Sequence, residues 1–191
     1  MRVATRRAAG LEPGGWTPQL RKEVAEFFDA LSGEWHTRTS AQRTAVVADA
    51  LDRGLGPRPL PSGVAVEVGS GIGTYSSLLA QRFATVIAID LSLPMLKQAP
   101  PAVAHRIQGD GALLPLRDKS ASAIVLINAF LFPAEVHRVL SSEGALVWVN
   151  SSGPQTPIFL NPDDLLSALP GKWRAVASQA GEGTWSVLRR T

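Results

Sequence analysis

The sequence predicts an α/β protein. The expected architecture is a mostly parallel sheet of about seven strands with helices on both faces, a C-terminal antiparallel hairpin and a helical N-terminal cap. Three observations carry this. Between Val64 and Val149, short runs that are apolar throughout alternate with helical patterns, as strands buried on both faces of a parallel sheet do. Three glycines at alternate positions close the first of these runs and open a helix. The last two strand-like runs flank Ala180-Gly-Glu-Gly183, the composition of a hairpin turn.

The elements follow in order. Residues 1–15 are rich in Ala, Arg and Gly and are expected to be a flexible N-terminus. Trp16 to Asp29 reads as a helix. Thr17 is placed to cap it, Pro18 suits its first position, and Leu20, Val24, Phe27 and Phe28 recur at helical spacing. A second helix is expected from Ser40 to Gly54. The Pro/Gly run from Gly54 to Gly63 ends this cap (residues 16–62) and opens the main domain (63–191). The expected strands are Val64–Val68, Thr85–Ile89, Arg106–Gln108, Ser122–Ile127, Ala145–Val149, Lys172–Ser178 and Thr184–Arg190. Helices are expected over Thr74–Arg82, Ser92–Gln98, Pro133–Leu140 and Asn161–Leu169. In the second and fourth, Ser92 and Asn161 are the caps and proline lies in the first turn.

Composition narrows the function classes. The chain has 191 residues, which suits one domain with an extension. It has no cysteine, so a disulfide framework, a thiolate metal site and a cysteine nucleophile are excluded, and a reducing compartment, the cytoplasm, is expected. The longest apolar run, Ala123 to Phe132, contains Asn128 and falls well short of the roughly 20 residues of a membrane span. No apolar stretch follows the basic start, so no secretory signal and no membrane partner are expected. The formal net charge of +3 comes from scattered arginines without interleaved aromatics, which reads as a solvated surface and not a nucleic-acid footprint. No His or carboxylate cluster has metal-ligand spacing, so no metal is expected.

The glycine stretch, Val64-Ala-Val-Glu67-Val-Gly69-Ser70-Gly71-Ile-Gly73, is the most informative. A strand that ends in glycines and feeds a helix is a ligand cradle in an open α/β sheet, because ligands bind at the carboxyl ends of the strands. The glycines admit close approach to the backbone, and a helix start offers free N–H groups. A tight turn without a ligand needs fewer glycines. The spacing also departs from the G-x-G-x-x-G of dinucleotide folds, which argues against a nicotinamide oxidoreductase. Asp90 closes the second strand, where an acid can accept hydrogen bonds from both ribose hydroxyls. Ser92 is better placed than Asp90 to cap the next helix.

Five segments in order resemble the class I S-adenosylmethionine-dependent methyltransferases. They are Glu67-x-Gly69-x-Gly71-x-Gly73, Val86-Ile-Ala-Ile-Asp90-Leu91-Ser92, Gly109-Asp110-Gly111 with Leu114-Pro115-Leu116, Ser122 to Asn128, and Glu135-Val-His-Arg138-Val-Leu140 with Gly144. The last is similar to the E-x-x-R-V-L signature of the ubiquinone/menaquinone-biosynthesis-like, small-molecule subgroup. The resemblance covers about Ala25 to the C-terminus and implies a Rossmann-like fold. The implied cofactor is S-adenosyl-L-methionine, with S-adenosyl-L-homocysteine as product. It also implies binding roles for Glu67 (the methionine ammonium), Gly69, Ser70, Gly71, Gly73, Asp90, Leu91, Asp110 (the adenine amine), Gly111 and Asn128.

Alternatives stay open at several of these. Asp110 between glycines also suits an Asx turn. Glu67 is either a ligand-facing acid or a solvated strand end. Asn128 either lines the methyl-transfer face or satisfies a strand-end backbone group. Phe27-Phe28-Asp-Ala-Leu31 with Trp35 resembles the family's lid helix, and Trp35 is either its cofactor-covering aromatic or core packing. The segment from Asn128 to Glu135 is shorter than usual for the family, so a more open pocket, or one closed by the N-terminal helices, is expected. The turn after Leu140 rests on Gly144 alone.

The expected activity is methyl transfer to a small-molecule acceptor. Such an in-line displacement depends on alignment and on exclusion of water. A base is needed only if the acceptor must lose a proton. His36, Tyr75 and Asn128 are the candidates, and no base is assigned; His105 and His137 are expected at the surface. Asn128-Ala-Phe130 lacks the Asn/Asp-Pro-Pro-Tyr/Phe common in enzymes that methylate a flipped base, so no nucleic-acid partner is expected. The rival class is a catalytically inactive module that binds the cofactor or serves as a partner subunit. The chain is expected to be a monomer or a homodimer.

Overall fold

A computed structural model describes residues 1–56 and 60–191. Pro57, Arg58 and Pro59, in the expected Pro/Gly run, lie outside the described residues. Seven strands form one sheet: β1 (Leu60–Val68), β2 (Phe83–Asp90), β3 (His105–Gln108), β4 (Ala121–Ile127), β5 (Leu140–Asn150), β6 (Trp173–Ala180) and β7 (Gly183–Arg190). Their order is β3-β2-β1-β4-β5-β7-β6. The first five run parallel, β7 pairs antiparallel with β5, and β6 with β7. The order reverses between β1 and β4, which opens a crevice at the carboxyl ends of β1, β2 and β4.

Successive residues of the central strands go to opposite faces. Val66, Ile124, Leu126, Leu146 and Trp148 belong to one apolar core, with α1 (Arg2–Ala8), α6 (Pro133–Val139) and α7 (Pro162–Ala168) against it. Ala65, Ala123, Val125, Val147 and Val149 belong to the other, with α3 (Ala41–Asp49) and α4 (Ser76–Ala80). This explains why the strands read as continuous apolar runs. Each fully buried large side chain contributes about 1.5–3 kcal/mol of transfer free energy.

The helix starts follow their capping residues. Thr17 accepts the Leu20 N–H at the start of α2 (Pro18–Leu31), and Ser92 accepts the Met95 N–H at the start of α5 (Leu93–Gln98). Asn161 and Asp164 form a reciprocal capping box on α7.

Several expectations are corrected. Residues 1–15 are not structureless: α1 lies against the core through Ala4, Ala8 and Ala9, and Thr5 is fully buried. The signal was missed because an alanine stripe carries little hydrophobic contrast. The helix from Ser40 changes to π geometry over Ala50–Leu55. A 3-10 segment, Ser32–Arg38, follows α2. The expected turn at Gly144 falls inside β5: Ala121 pairs with Leu140 and Ala123 with Ala145, so Ser141–Gly144 bulge out of the ladder opposite the single residue Ser122. Phe27 stays 45% exposed, so α2 buries only a narrow stripe. No described helix is long and apolar enough to cross a membrane.

Candidate functional site

The crevice at the order reversal is a cleft of about 1010 Å³, counted out to its open mouth. Its floor is the β1 end and the glycine loop. One wall is the β2 and β3 ends, and another the β4 end. Its roof comes from the N-terminal segment: Trp16, Val24, Phe28, Trp35, Arg38 and Arg43.

The loop after β1 is built for backbone approach. Gly69 has φ +72°, and a Cβ there would lie 2.7 Å from Ala129 Cβ, so both conformation and space require glycine. Gly71 has φ +56° and faces the cleft beneath the Trp35 indole. Between them, the Ser70 hydroxyl is buried without a hydrogen-bond partner, in a residue that lines the cleft. An orphaned buried hydroxyl beside positive-φ glycines fits a polar ligand brought against this loop. Gly73 lies outside the cleft lining, with its α-carbon packed toward Ala99.

Asp90 lies across from the loop. Its carboxylate accepts the Gly71 N–H at 2.7 Å and the Ser92 N–H at 2.8 Å. Burial raises its carboxyl above the ordinary aspartate value, against the pull of those bonds. Each oxygen keeps lone-pair capacity toward the cleft, as a diol acceptor requires. Leu91 lines the same wall.

Glu67 is 2% exposed, so the solvated strand end is excluded. It accepts the Ser76 hydroxyl at 2.5 Å. Burial, with Asp90 nearby, pushes its carboxyl up to about 7, although the Ser76 bond opposes the shift. Such a group is only partly ionised near neutral pH, and a cation placed against it would favour loss of the remaining proton. Tyr75 is half-buried at the same end, and burial raises its phenol above the ordinary value.

At the far end, the Trp16 indole N–H reaches both oxygens of Asp110, at 3.1 Å each. Asp110 also accepts the Ala112 N–H at 2.8 Å, which is the Asx turn anticipated as its alternative, and Arg21 lies 3.6 Å away. Trp16 packs on Phe130 and Phe132 with centroids 5.3 and 5.1 Å apart. Gly111 lines the cleft beside Phe132. No sequence signal joins Trp16 to Asp110, because 94 positions separate them.

The loop holding Asp110 is tied down by the E-x-x-R pair. Glu135 accepts the Leu114 N–H at 2.6 Å and two bonds from Arg138 at 2.8 Å each. Arg138 also donates to the carbonyls of Leu114 and Leu116 and to Asp118. The guanidinium holds the Glu135 carboxyl below its ordinary value. This signature therefore fastens the loop and leaves no group free for ligand.

Asn128 has φ +51°, a left-handed conformation that asparagine tolerates better than most residues. Its amide exchanges two 2.8 Å bonds with Ser151, one through the Ser151 hydroxyl and one through its N–H. It lines the cleft, yet both polar atoms are engaged, as the strand-end alternative required. Trp35 is a cleft aromatic, edge-on to Phe28 at 5.6 Å. His36 is exposed and outside the cleft, so the structure does not place it among acceptor-facing groups. His105 and His137 are also exposed. Among the described residues no cluster of three or more His or acidic groups could hold a metal.

Comparison with known proteins agrees with this geometry. A methyltransferase domain family model matches residues 66–148. The demethylmenaquinone methyltransferase of Corynebacterium kroppenstedtii is 29% identical over 168 residues, 82% of this chain and 73% of that one. The bifunctional biotin-biosynthesis protein BioHC of Cellvibrio japonicus is 31% identical over 150 residues, 73% of this chain but 29% of that one. Among solved structures, the DhpI–SAH complex superposes with TM-score 0.71 at 17% identity, covering 92% of this chain and 98% of that one, which shows a shared fold.

Proposed function

We propose that the chain is a class I S-adenosylmethionine-dependent methyltransferase, as its similarity to the methyltransferase domain family and to a demethylmenaquinone methyltransferase supports, and that its acceptor is a small molecule. The carrying observation is the roof. Residues 16–62, read here as a cap, bring Trp16, Phe28 and Trp35 over the crevice, and this aromatic cover favours a compact acceptor over a polymer. The relative named for demethylmenaquinone supports the same class. The absence of an Asn/Asp-Pro-Pro-Tyr/Phe run after β4 speaks against a flipped base.

Bound S-adenosylmethionine supplies a methyl carbon on a sulfonium, open to in-line attack. The residues of this chain then have separate tasks. Asp90 accepts the ribose hydroxyls. The Gly69–Gly71 backbone and the Ser70 hydroxyl receive the methionine portion. Glu67 takes negative charge as the ammonium approaches and so completes an ion pair that burial otherwise suppresses. Trp35 and Phe28 exclude water from the reacting centre. Tyr75 lines the cleft with no described hydrogen bond on its hydroxyl, and because burial raises its phenol it keeps its proton and would orient an acceptor by hydrogen bonding.

The test is calorimetric titration of S-adenosylhomocysteine into the native protein and Asp90→Ala, followed by transfer of a labelled methyl group to quinol, carboxylate and amine acceptors and to DNA and RNA. Micromolar binding lost in the variant, with transfer to a small acceptor alone, is the expected result. Transfer to nucleic acid would overturn the acceptor class. Absence of binding by the folded native protein would favour the inactive-module alternative.

A further inference from the structure

The three acids of the cleft all have partners: Glu67 has Ser76, Asp90 has two backbone N–H groups, and Asp110 has Trp16 and Ala112. The two arginines that line the cleft differ. Among the described residues no carboxylate lies within ion-pair distance of Arg38 or Arg43. Six other arginines of the chain, at 6, 21, 53, 82 and 138 with an acid and at 106 with two carbonyls, are engaged in the fold.

Arg43 is the third residue of α3 and is half-buried. Its backbone N–H bonds to Ser40 Oγ, and one guanidinium nitrogen donates to the Arg38 carbonyl. That bond anchors the side chain between the end of the 3-10 segment and the cleft. It leaves the remaining guanidinium N–H groups without a described partner. Arg38 lies over the Trp35 ring, 5.8 Å from its centroid, so its guanidinium rests on the aromatic that roofs Gly71. Tyr75 and Thr39 complete this end of the cleft, and Arg43 is close enough to Tyr75 to oppose the rise in its phenol pKa.

We propose that Arg43 and Arg38 form an oxyanion-binding subsite in the roof, at the glycine-loop end of the cleft, which receives a carboxylate or phosphate-type group. The inference rests on the methyltransferase reading of the cleft. Guanidinium groups present planar, forked donors that match carboxylates and phosphates, and unpaired ones in a partly enclosed site favour an anion. Two fixed positive charges beside a sulfonium also disfavour a cationic acceptor. The same chemistry has two sources: the α-carboxylate of the cofactor or an anionic group on the acceptor.

Calorimetry on the full chain separates them. S-adenosylhomocysteine and 5′-methylthioadenosine, which lacks the amino-acid portion, are titrated into the native protein and the Arg43→Gln, Arg38→Gln and Arg43→Lys variants. Inorganic phosphate is titrated into each protein saturated with S-adenosylhomocysteine. If the cofactor carboxylate is the occupant, Arg43→Gln weakens S-adenosylhomocysteine at least tenfold and leaves 5′-methylthioadenosine unchanged, and Arg43→Lys recovers part of the loss. If the acceptor supplies the anion, S-adenosylhomocysteine binds all variants within twofold. Phosphate then binds the loaded native protein in the millimolar range and at least tenfold more weakly in both Gln variants. Either pattern supports the subsite. Unchanged cofactor affinity together with phosphate binding that is absent, or insensitive to both arginines, overturns it. Failure of the folded native protein to bind S-adenosylhomocysteine at all is a different result and removes the methyltransferase reading instead.

Discussion

One charged segment lines the cleft and another fastens one of its loops from outside, and they are finished differently. In the Glu135–Arg138 clamp both carboxylate oxygens and all three guanidinium nitrogens meet partners within the protein, and the Glu135 carboxyl is held below its ordinary value. At the glycine loop, Glu67 is buried and Asp90 half-buried, each with few donors, both carboxyls are raised, and the Ser70 hydroxyl has no partner. A saturated network stabilises the fold. An unsaturated one is less stable alone and gains when a ligand supplies the missing partners. We therefore read the clamp as architecture and propose the loop as the binding element, although both carry motif acids.

The sharpest way to break the comparison is to remove one member from each region. Glu135→Ala strips the Leu114 N–H and Arg138 of their acceptor. It is expected to cost about 2–4 kcal/mol of stability, read as a lower denaturant midpoint. Because the loop carrying Asp110 loosens with it, cofactor affinity should fall only severalfold. Asp90→Ala should do the reverse. Thermal stability should change little, since a half-buried, raised carboxyl is removed, while S-adenosylhomocysteine affinity drops at least 100-fold, about 2.7 kcal/mol. If both variants lose stability alike, Asp90 is part of the framework and the distinction fails.

The contrast also marks how far the sequence could be read. Local rules sufficed for the strands, because apolar runs buried on both faces leave no polar alternation, and for the caps at Thr17, Ser92 and Asn161, whose partners lie three residues away. The glycine spacing and Asp90 were legible as a cradle, since both motifs are short and consecutive. The Asp110 turn was legible as an alternative for the same reason. The rest depends on contacts between distant positions. Helix α1 is held by small alanines that are informative only against a surface, and Trp16 meets Asp110 across 94 positions. Arg38 and Arg43 read as scattered surface charge until the 3-10 segment turns them over the crevice. His36, adjacent to Trp35, is carried to the outer side of that segment.

Glu67 sharpens the comparison through pH. Its folded carboxyl titrates near 7, above the ordinary glutamate value of 4.5, so the folded chain binds the proton more tightly than the unfolded one. The associated stability is fully present below about pH 4.5 and is lost as pH rises through about 7. Glu67→Gln should remove that loss and stabilise the cofactor-free protein at pH 8 by up to about 3 kcal/mol. With the ammonium of S-adenosylhomocysteine as partner, the native protein should bind more tightly from pH 6 to pH 8 and release a proton, seen as a binding enthalpy that depends on the buffer. The variant should show neither effect. A native affinity flat across that range would separate Glu67 from the ammonium.

The smallest effect tests the proposed adenine end, where Asp110 already has an internal donor. The Trp16 indole N–H spans both Asp110 oxygens, the atoms an adenine amine would use. Trp16→Phe keeps a smaller aromatic against Phe130 and Phe132 and removes the donor. Loss of this partly exposed bond should cost about 0.5–1.5 kcal/mol of stability. If indole and amine compete, the freed carboxylate should bind S-adenosylhomocysteine two- to fivefold more tightly, and the gain should vanish for the inosine analogue, which presents no amine. If the indole instead holds Asp110 in place for the amine, affinity falls, and Trp16 then belongs with the Glu135–Arg138 clamp as part of the framework around the cofactor.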